Sequence, residues 1–141
     1  MTHLFDINVL MAIAWKEHVH HEIVLQWLKA KRSKGRLSIA TCPLTQLGFV
    51  RISMNIKAYA ADFESAIKVL TLMLDRDEFK HEFWPDGLSL ISIHHSARST
   101  LGSNQLTDFY LANLAKSHGG RLVTLDRGIK DESVELISAG S

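Results

Sequence analysis

Three aspartates stand where secondary-structure elements of this chain should begin or end. Asp6 and Asp126 each follow a short apolar run, and Asp108 lies where a helix should start. Three carboxylates brought together repel one another, and a hard divalent cation removes that repulsion. Mg²⁺ and Mn²⁺ prefer oxygen ligands, and such an ion activates water and stabilises charge on a phosphoryl group. The three side chains are therefore candidate metal ligands for phosphodiester cleavage.

Each aspartate also has an ordinary structural explanation. Asp6 could cap the turn that follows it, Asp108 could be a first-turn acid favoured by the helix dipole, and Asp126 could begin an Asp-Arg-Gly turn. Each residue alone fits either interpretation, and their joint placement at element ends favours the metal site. The sequence contains no Gly-rich phosphate loop, GxSxG elbow or Cys/His nucleophile pair, which argues against several other chemistries.

An apolar run over residues 3–7 is the first element that must position these acids. The run is too short for a helix and predicts a buried strand ending near Asp6. Apolar residues at helical spacing follow, and Asn8 is the predicted cap of that helix. The alternative role for Asn8 is to orient the Asp6 side chain.

The second acid-bearing unit spans residues 106–128. Thr107 is the predicted cap of a helix that carries Asp108 in its first turn, and Gly119-Gly120 ends that helix. An apolar strand over 121–125 then leads to Asp126.

The rest of the chain continues the alternation of strands and helices, although Leu88 to Ile93 fits either type. We predict helices over 18–34, 43–55 and 62–74, and strands over 36–40, 81–84 and 134–137. Alternating elements predict an α/β fold with a parallel sheet of about four to five strands covered on both faces. In such sheets a ligand crevice lies beyond the carboxyl ends of the strands, where all three acids could meet.

Length and composition set the remaining bounds. The 141 residues suit a single domain, 1–141, and the net charge of +1 shows no global excess of cations for nucleic acid. A basic cluster near residues 29–36 either complements a helix C-terminus or contacts phosphates. The single Cys42 excludes an internal disulfide and a cysteine zinc site. Neither a membrane span nor a signal peptide is predicted, so the cytoplasm is the expected location.

Four segments, taken in order, resemble a known family over nearly the whole chain: LFDINVLMAIAW, TCPLTQLGFVRI, HEFWPDGLSLI and LTDFYLANLAKSHGGRLVTLDRGI. They are similar to the PIN-domain ribonucleases, specifically the VapC-type toxins of bacterial toxin–antitoxin pairs. The resemblance implies a compact α/β/α domain and Mg²⁺- or Mn²⁺-dependent endoribonuclease activity on RNA. It also implies a homodimer and a cognate antitoxin that blocks the active site.

The resemblance further implies a role for individual residues. Asp6, Asp108 and Asp126 match three of the four family acids, whereas Gln46 stands where the second acid, a glutamate, is expected. Asn8 and Thr124 would orient the acids.

Glutamine keeps an acceptor oxygen but loses the negative charge, so metal affinity should fall. Gln46 therefore marks a natural three-acid variant, a weakened homologue or a deliberate replacement of the glutamate.

Two other functions compete with the nuclease. One is a binding module that retains the fold, holds little metal, and acts by pairing with an antitoxin and operator DNA. The other is a metal phosphatase acting on small phosphoesters.

Overall fold

A five-stranded, fully parallel sheet forms the centre of the computed structural model, which describes residues 1–32, 35–97, 101–129 and 131–138. The strand order is β3-β2-β1-β4-β5. The strands are β1 (His3–Phe5), β2 (Leu37–Thr41), β3 (Phe79–Phe83), β4 (Arg121–Thr124) and β5 (Val134–Leu136). The predicted parallel α/β architecture is thus confirmed.

Helices connect the strands and cover both faces of the sheet. They are α1 (Ile7–Ala14), α2 (His21–Arg32), α3 (Pro43–Asn55), α4 (Phe63–Leu74), α5 (Leu90–Ile93) and α6 (Leu106–Ser117). The ambiguous segment after residue 88 therefore contains a short helix. A 3₁₀ turn follows at His94–Ser96, and residues 98–100 lie outside the described residues. No helix in the described part of the chain is long and apolar enough to cross a membrane.

Alternation along the strands builds one core on each face of the sheet. Phe5 and Val123 are fully buried in a cluster that includes residues of α1, α2, α3 and α4. Their neighbours Leu4 and Leu122 are fully buried on the other face, against α6. Burial of one such large side chain contributes about 1.5–3 kcal/mol. The two cores hold the central strands β1 and β4 between helical layers.

Two predicted helix caps are wrong. Asp6, not Asn8, is the N-cap of α1, and its Oδ1 accepts a hydrogen bond from the Ile7 N–H at 2.6 Å. Asn8 is the exposed second residue of that helix. Helix α6 begins at Leu106 with Gln105 as its N-cap, so Thr107 lies inside the helix. Each helix therefore begins two residues earlier than the sequence predicted.

Candidate active site

Asp6 and Thr124 meet because β1 and β4 are parallel neighbours. Phe5 is paired with Val123, and the Asp6 N–H continues the ladder by donating to the Val123 carbonyl at 3.0 Å. The Thr124 hydroxyl donates to Asp6 Oδ2 at 2.7 Å, and both residues are buried. Thr124 therefore makes the contact that an orienting residue needs.

The same hydroxyl reaches the second strand-end acid. The Asp126 N–H donates to Thr124 Oγ1 at 3.0 Å, and Asp126 Oδ1 accepts from the Gly128 N–H at 2.8 Å. Asp126 thus begins a tight turn, as its structural interpretation expected, while its carboxylate remains exposed beside the strand ends. One threonine hydroxyl links Asp6 to the turn that carries Asp126.

Asp108 completes the set from the first turn of α6. Its side chain interacts with the carboxylates of both Asp6 and Asp126, although the residue is only 6% exposed. Burial, the charge of Asp6, and a shared hydrogen bond with Asp126 raise the pKa of Asp108 to about 8. The structure therefore brings together the three aspartates that the sequence singled out.

The surroundings of Asp6 also disfavour the charged form of its side chain. Burial raises the pKa of Asp6, and the hydrogen bonds from Thr124 and the Ile7 N–H offset only part of that effect. In the metal-free protein, the cluster therefore keeps at least one proton near neutral pH, since its carboxyl groups cannot all ionise without a cation.

The donor set suits a hard cation in its chemistry. In residues 1–32, 35–97, 101–129 and 131–138, no three His, Cys, Asp or Glu side chains are arranged so that they could hold a metal ion together. However, Mg²⁺ usually takes one or two carboxylates and completes its shell with waters. A pair of these carboxylates, freed of their shared proton, fits that requirement.

Gln46 lies in the first turn of α3, at the same edge of the sheet. Its Nε2 donates to Thr41 Oγ1 at 3.0 Å, and that hydroxyl is 2.7 Å from His81 Nε2. Thr41 ends β2, the strand next to β1. The amide is thus held by Thr41 on β2, whose hydroxyl also contacts His81 on β3.

Close packing brings α3 against the start of α1. A Cβ on Gly48 would lie 2.3 Å from Ile7 Cδ1, so only a glycine permits this approach with Ile7 in place. Because Ile7 directly follows Asp6, the contact holds the Gln46 helix close to the first acid.

Asn8 makes no hydrogen bond to Asp6 among the contacts of the described residues, although its predicted role was to orient that side chain. It is exposed in α1, and the hydrogen bonds to Asp6 come from Ile7 and Thr124. The orienting role of Asn8 stays a prediction.

Gln105 is a contributor that the sequence did not reveal. Its Nε2 donates to the Gly128 carbonyl at 2.7 Å, and its Oε1 accepts from the Gly102 N–H at 2.9 Å. The only signal was an amide side chain three residues before Asp108, which is not a recognised motif.

A cavity of about 290 Å³ lies along α6; residues adjacent in sequence to Asp108 and Asp126 line it, but none of the three acids does. One wall is a face of α6 with Gln105, Phe109 and Asn113, and the opposite wall includes Arg127 and Gly128. The exposed Arg127 places a cation at the rim, directly after Asp126. The cavity therefore continues the site along α6.

The basic end of α2 lies at the other edge of the sheet, where β2 and β3 begin. Arg32 forms an ion pair with Glu78, and Arg36 Nη2 donates to the Phe79 carbonyl at 2.7 Å. Lys31 Nζ lies 2.9 Å from Glu135. These local pairings favour the structural explanation of the cluster over a phosphate-contacting patch.

Comparison with known proteins gives consistent matches. The PIN domain family model matches residues 4–133. Ribonuclease VapC29 of Mycobacterium tuberculosis is 42% identical over 132 residues, covering 92% of this chain and 89% of that protein. Ribonuclease VapC39 of the same organism is 37% identical over 134 residues, 94% of each chain.

A solved structure supports the fold. VapBC2 from Rickettsia felis, bound to a DNA fragment from their promoter, aligns with a TM-score of 0.57 over 89% of each chain. Sequence identity in that alignment is 16%, so the likeness concerns the fold alone.

Proposed function

We propose a function from one premise: this chain belongs to the PIN-domain family and, within it, to the VapC-type members. It acts as an endoribonuclease toxin that depends on Mg²⁺ or Mn²⁺, cleaves RNA phosphodiester bonds and is neutralised by a cognate antitoxin. Its similar relatives carry the name ribonuclease, which supports the reaction class.

The observation that carries the proposal is the contact of the buried Asp108 side chain with the carboxyl groups of Asp6 and Asp126. This buried carboxyl group interacts with two other acids, and its pKa is raised to about 8. No salt bridge within the described residues includes Asp6, Asp108 or Asp126. Since no Lys, Arg or His of the described residues forms an ion pair with these acids, a bound divalent ion is the partner that best balances the charge.

Two of the three carboxylates of Asp6, Asp108 and Asp126 would hold the ion directly, with water completing its shell, and the bound ion would supply an activated water and stabilise negative charge on the phosphoryl group. The chain's own residues prepare this site. The Thr124 hydroxyl occupies one oxygen of Asp6 and so directs the other carboxylate oxygen toward α1, where Ile7 donates to it. Burial of Asp6 and Asp108 limits access of water to their carboxylates and strengthens their interaction with a cation.

Gln46 is the neutral neighbour of this site. Because Nε2 is engaged by Thr41, the amide oxygen of Gln46 is the atom left to accept a hydrogen bond or approach a cation. A glutamate here would add a negative charge and tighten metal binding.

RNA would lie across the strand ends, with the scissile phosphate near the acids. The exposed Arg127 is placed to contact a backbone phosphate, and the adjacent cavity offers Phe109 and polar side chains to a neighbouring nucleotide.

RNA cleavage with Mn²⁺ tests the proposal. Purified protein, freed of metal and resupplied with Mn²⁺, should cut a mixed RNA substrate, and Asp108→Asn should lower the rate at least ~100-fold because it removes a metal ligand. Gln46→Glu should cut faster than the wild type at limiting Mn²⁺. Asp86→Asn, at an exposed acid of a turn, is the matched control and should leave the rate unchanged. If neither the wild type nor Gln46→Glu cuts any RNA, the enzymatic function fails.

A second candidate function follows from the neutral Gln46. Without the fourth charge, the chain could serve mainly as a module that binds an antitoxin and, with it, operator DNA. Calorimetry with Mn²⁺ separates the two functions: no heat of binding, and no difference between wild type and Asp6→Ala, would favour the module.

The proposal includes assembly and location. The resemblance implies a homodimer, for which Phe63 and Ile67, exposed apolar residues one turn apart on α4, offer a contact, and light scattering on the purified protein checks the mass. An RNA substrate and a single unpaired Cys42 suit the cytoplasm.

A further inference from the structure

We infer that Gln105 is a positioning residue that sets the separation of Asp108 and Asp126 for divalent-cation binding; this rests on the proposed function. Gln105 directly precedes α6 and lies three residues before Asp108. Its side chain reaches across to the turn that follows Asp126. It therefore connects the two elements that carry these acids.

Gly128 is the point where this connection meets the acid. The Gly128 carbonyl accepts from Gln105 Nε2 at 2.7 Å, and the Gly128 N–H donates to Asp126 Oδ1 at 2.8 Å. The same residue thus holds the amide of Gln105 on one side and the carboxylate of Asp126 on the other. Movement of the turn relative to α6 would move Asp126 relative to Asp108.

The other end of the amide is anchored as well. Gln105 Oε1 accepts from the Gly102 N–H at 2.9 Å, which fixes the rotation of the side chain about its last bond. A bridge of this kind needs one donor and one acceptor on the same planar group, which an amide provides. Asparagine has the same group but is shorter by one C–C bond of about 1.5 Å, so it could not span both contacts.

The fit around the bridge is close. A Cβ on Gly128 would lie 3.2 Å from both Asp126 Oδ1 and Gln105 Nε2, which is tighter than ordinary van der Waals contact. Gly128→Ala would therefore press on the bridge and on the acid together. This substitution perturbs the same contact from the opposite side.

The test replaces Gln105 with a side chain of similar length that has no amide group. Gln105→Met keeps the length and packing of the side chain but removes the amide, and Gln26→Met makes the same change at an exposed glutamine in α2. Mn²⁺ affinity is measured on metal-free protein by the electron paramagnetic resonance signal of free Mn²⁺. Thermal unfolding in EDTA is measured on the same samples, and hydrogen exchange of the Gly102 amide reports whether the bridge is lost.

The expected result is a selective loss of affinity. Gln105→Met should bind Mn²⁺ about 10–100-fold more weakly, as is typical when a residue that orients metal ligands is lost. Gln26→Met should match the wild type, and saturating Mn²⁺ should restore RNA cleavage by Gln105→Met. Gly128→Ala should weaken Mn²⁺ binding in the same direction, which keeps the inference testable if Gln105→Met folds poorly.

Two negative outcomes are distinct. If the wild type binds Mn²⁺ and both variants bind it equally well while Gly102 exchange accelerates, the bridge only stabilises the loop and this inference is overturned alone. If the wild type itself binds no Mn²⁺, the proposed function is overturned together with it.

Discussion

The half-buried carboxylate of Glu135 and the buried carboxylates at the strand ends have opposite electrostatic surroundings. Glu135 on β5 has Lys31 Nζ at 2.9 Å, Trp27 Nε1 at 2.9 Å and Arg121 Nη1 at 3.7 Å. Asp6 and Asp108 have neutral donors and one another. Among the residues that the structure describes, cations pair with Glu135 but not with Asp6 or Asp108.

The pKa values follow this difference. Burial alone would raise the pKa of Glu135, but the hydrogen bonds from Lys31 and Trp27 and the charge of Lys31 outweigh it and lower that pKa. At Asp108, burial and the neighbouring acids act in the same direction and raise the pKa. Glu135 therefore stabilises the fold, whereas the buried acids at the strand ends cost stability in the metal-free protein.

The largest expected change in stability comes from Asp108→Asn in the metal-free protein. The folded-state pKa of Asp108, about 8, lies above its ordinary value of 3.8, so its contribution to stability is complete below pH 3.8 and is lost as pH rises through about 8. The variant should be more stable than the wild type by roughly 2–3 kcal/mol at pH 8 in EDTA, because a buried charge is removed.

Urea unfolding at pH 5 and pH 8 checks this prediction. The advantage of the variant should shrink at the lower pH, and saturating Mn²⁺ should stabilise the wild type far more than the variant. Equal stabilities at both pH values would mean that Asp108 is not held against ionisation.

A smaller effect is expected from Thr124→Val, which keeps the shape of the side chain and removes the hydroxyl. Asp6 would lose its donor, and the Asp126 N–H would lose its acceptor. Mn²⁺ affinity should fall roughly tenfold, or ~1.4 kcal/mol, since the carboxylates lose their fixed orientation. Calorimetry measures the change, and Thr124→Ser, which restores the hydroxyl, should recover most of the affinity. Equal loss in both variants would assign the effect to packing.

The comparison also separates what local sequence can predict from what it cannot. Apolar runs followed by Asp6 and Asp126 predicted both the strands and the position of these acids at the carboxyl ends. Each run and the acid that follows it are neighbours in sequence, so the pattern is visible locally. The cap predictions were wrong because Asn8 and Thr107 have good capping side chains, whereas α1 begins directly after Asp6 and α6 directly after the 3₁₀ turn Ser103–Gln105. The Gln105 side chain makes no capping hydrogen bond, so no capping pattern marks the start of α6.

The same limit applies to charge. Lys31 appeared in a basic run that suggested either helix-dipole complementarity or phosphate binding, and its actual partner Glu135 lies on the last strand. Likewise, the Gln46 amide is held by Thr41, whose hydroxyl also contacts His81 on a strand remote in sequence. Pairing across the sheet becomes visible only when strand order is known.

The smallest effect is expected at the compensated carboxylate. Glu135→Gln keeps an acceptor for Trp27 and removes the charge that Lys31 and Arg121 face. Because the folded-state pKa of Glu135 is lowered below 4.5, its stabilising contribution is present above pH 4.5 and is lost as pH falls through the folded-state value. The variant should lose about 0.5–1 kcal/mol at pH 7, since both cations are partly exposed, and progressively less as the pH falls through the folded-state pKa. Urea unfolding measures this loss, with Glu132→Gln at an exposed acid as the control. A gain in stability at pH 7 would place Glu135 with the uncompensated acids and remove the contrast between the two groups.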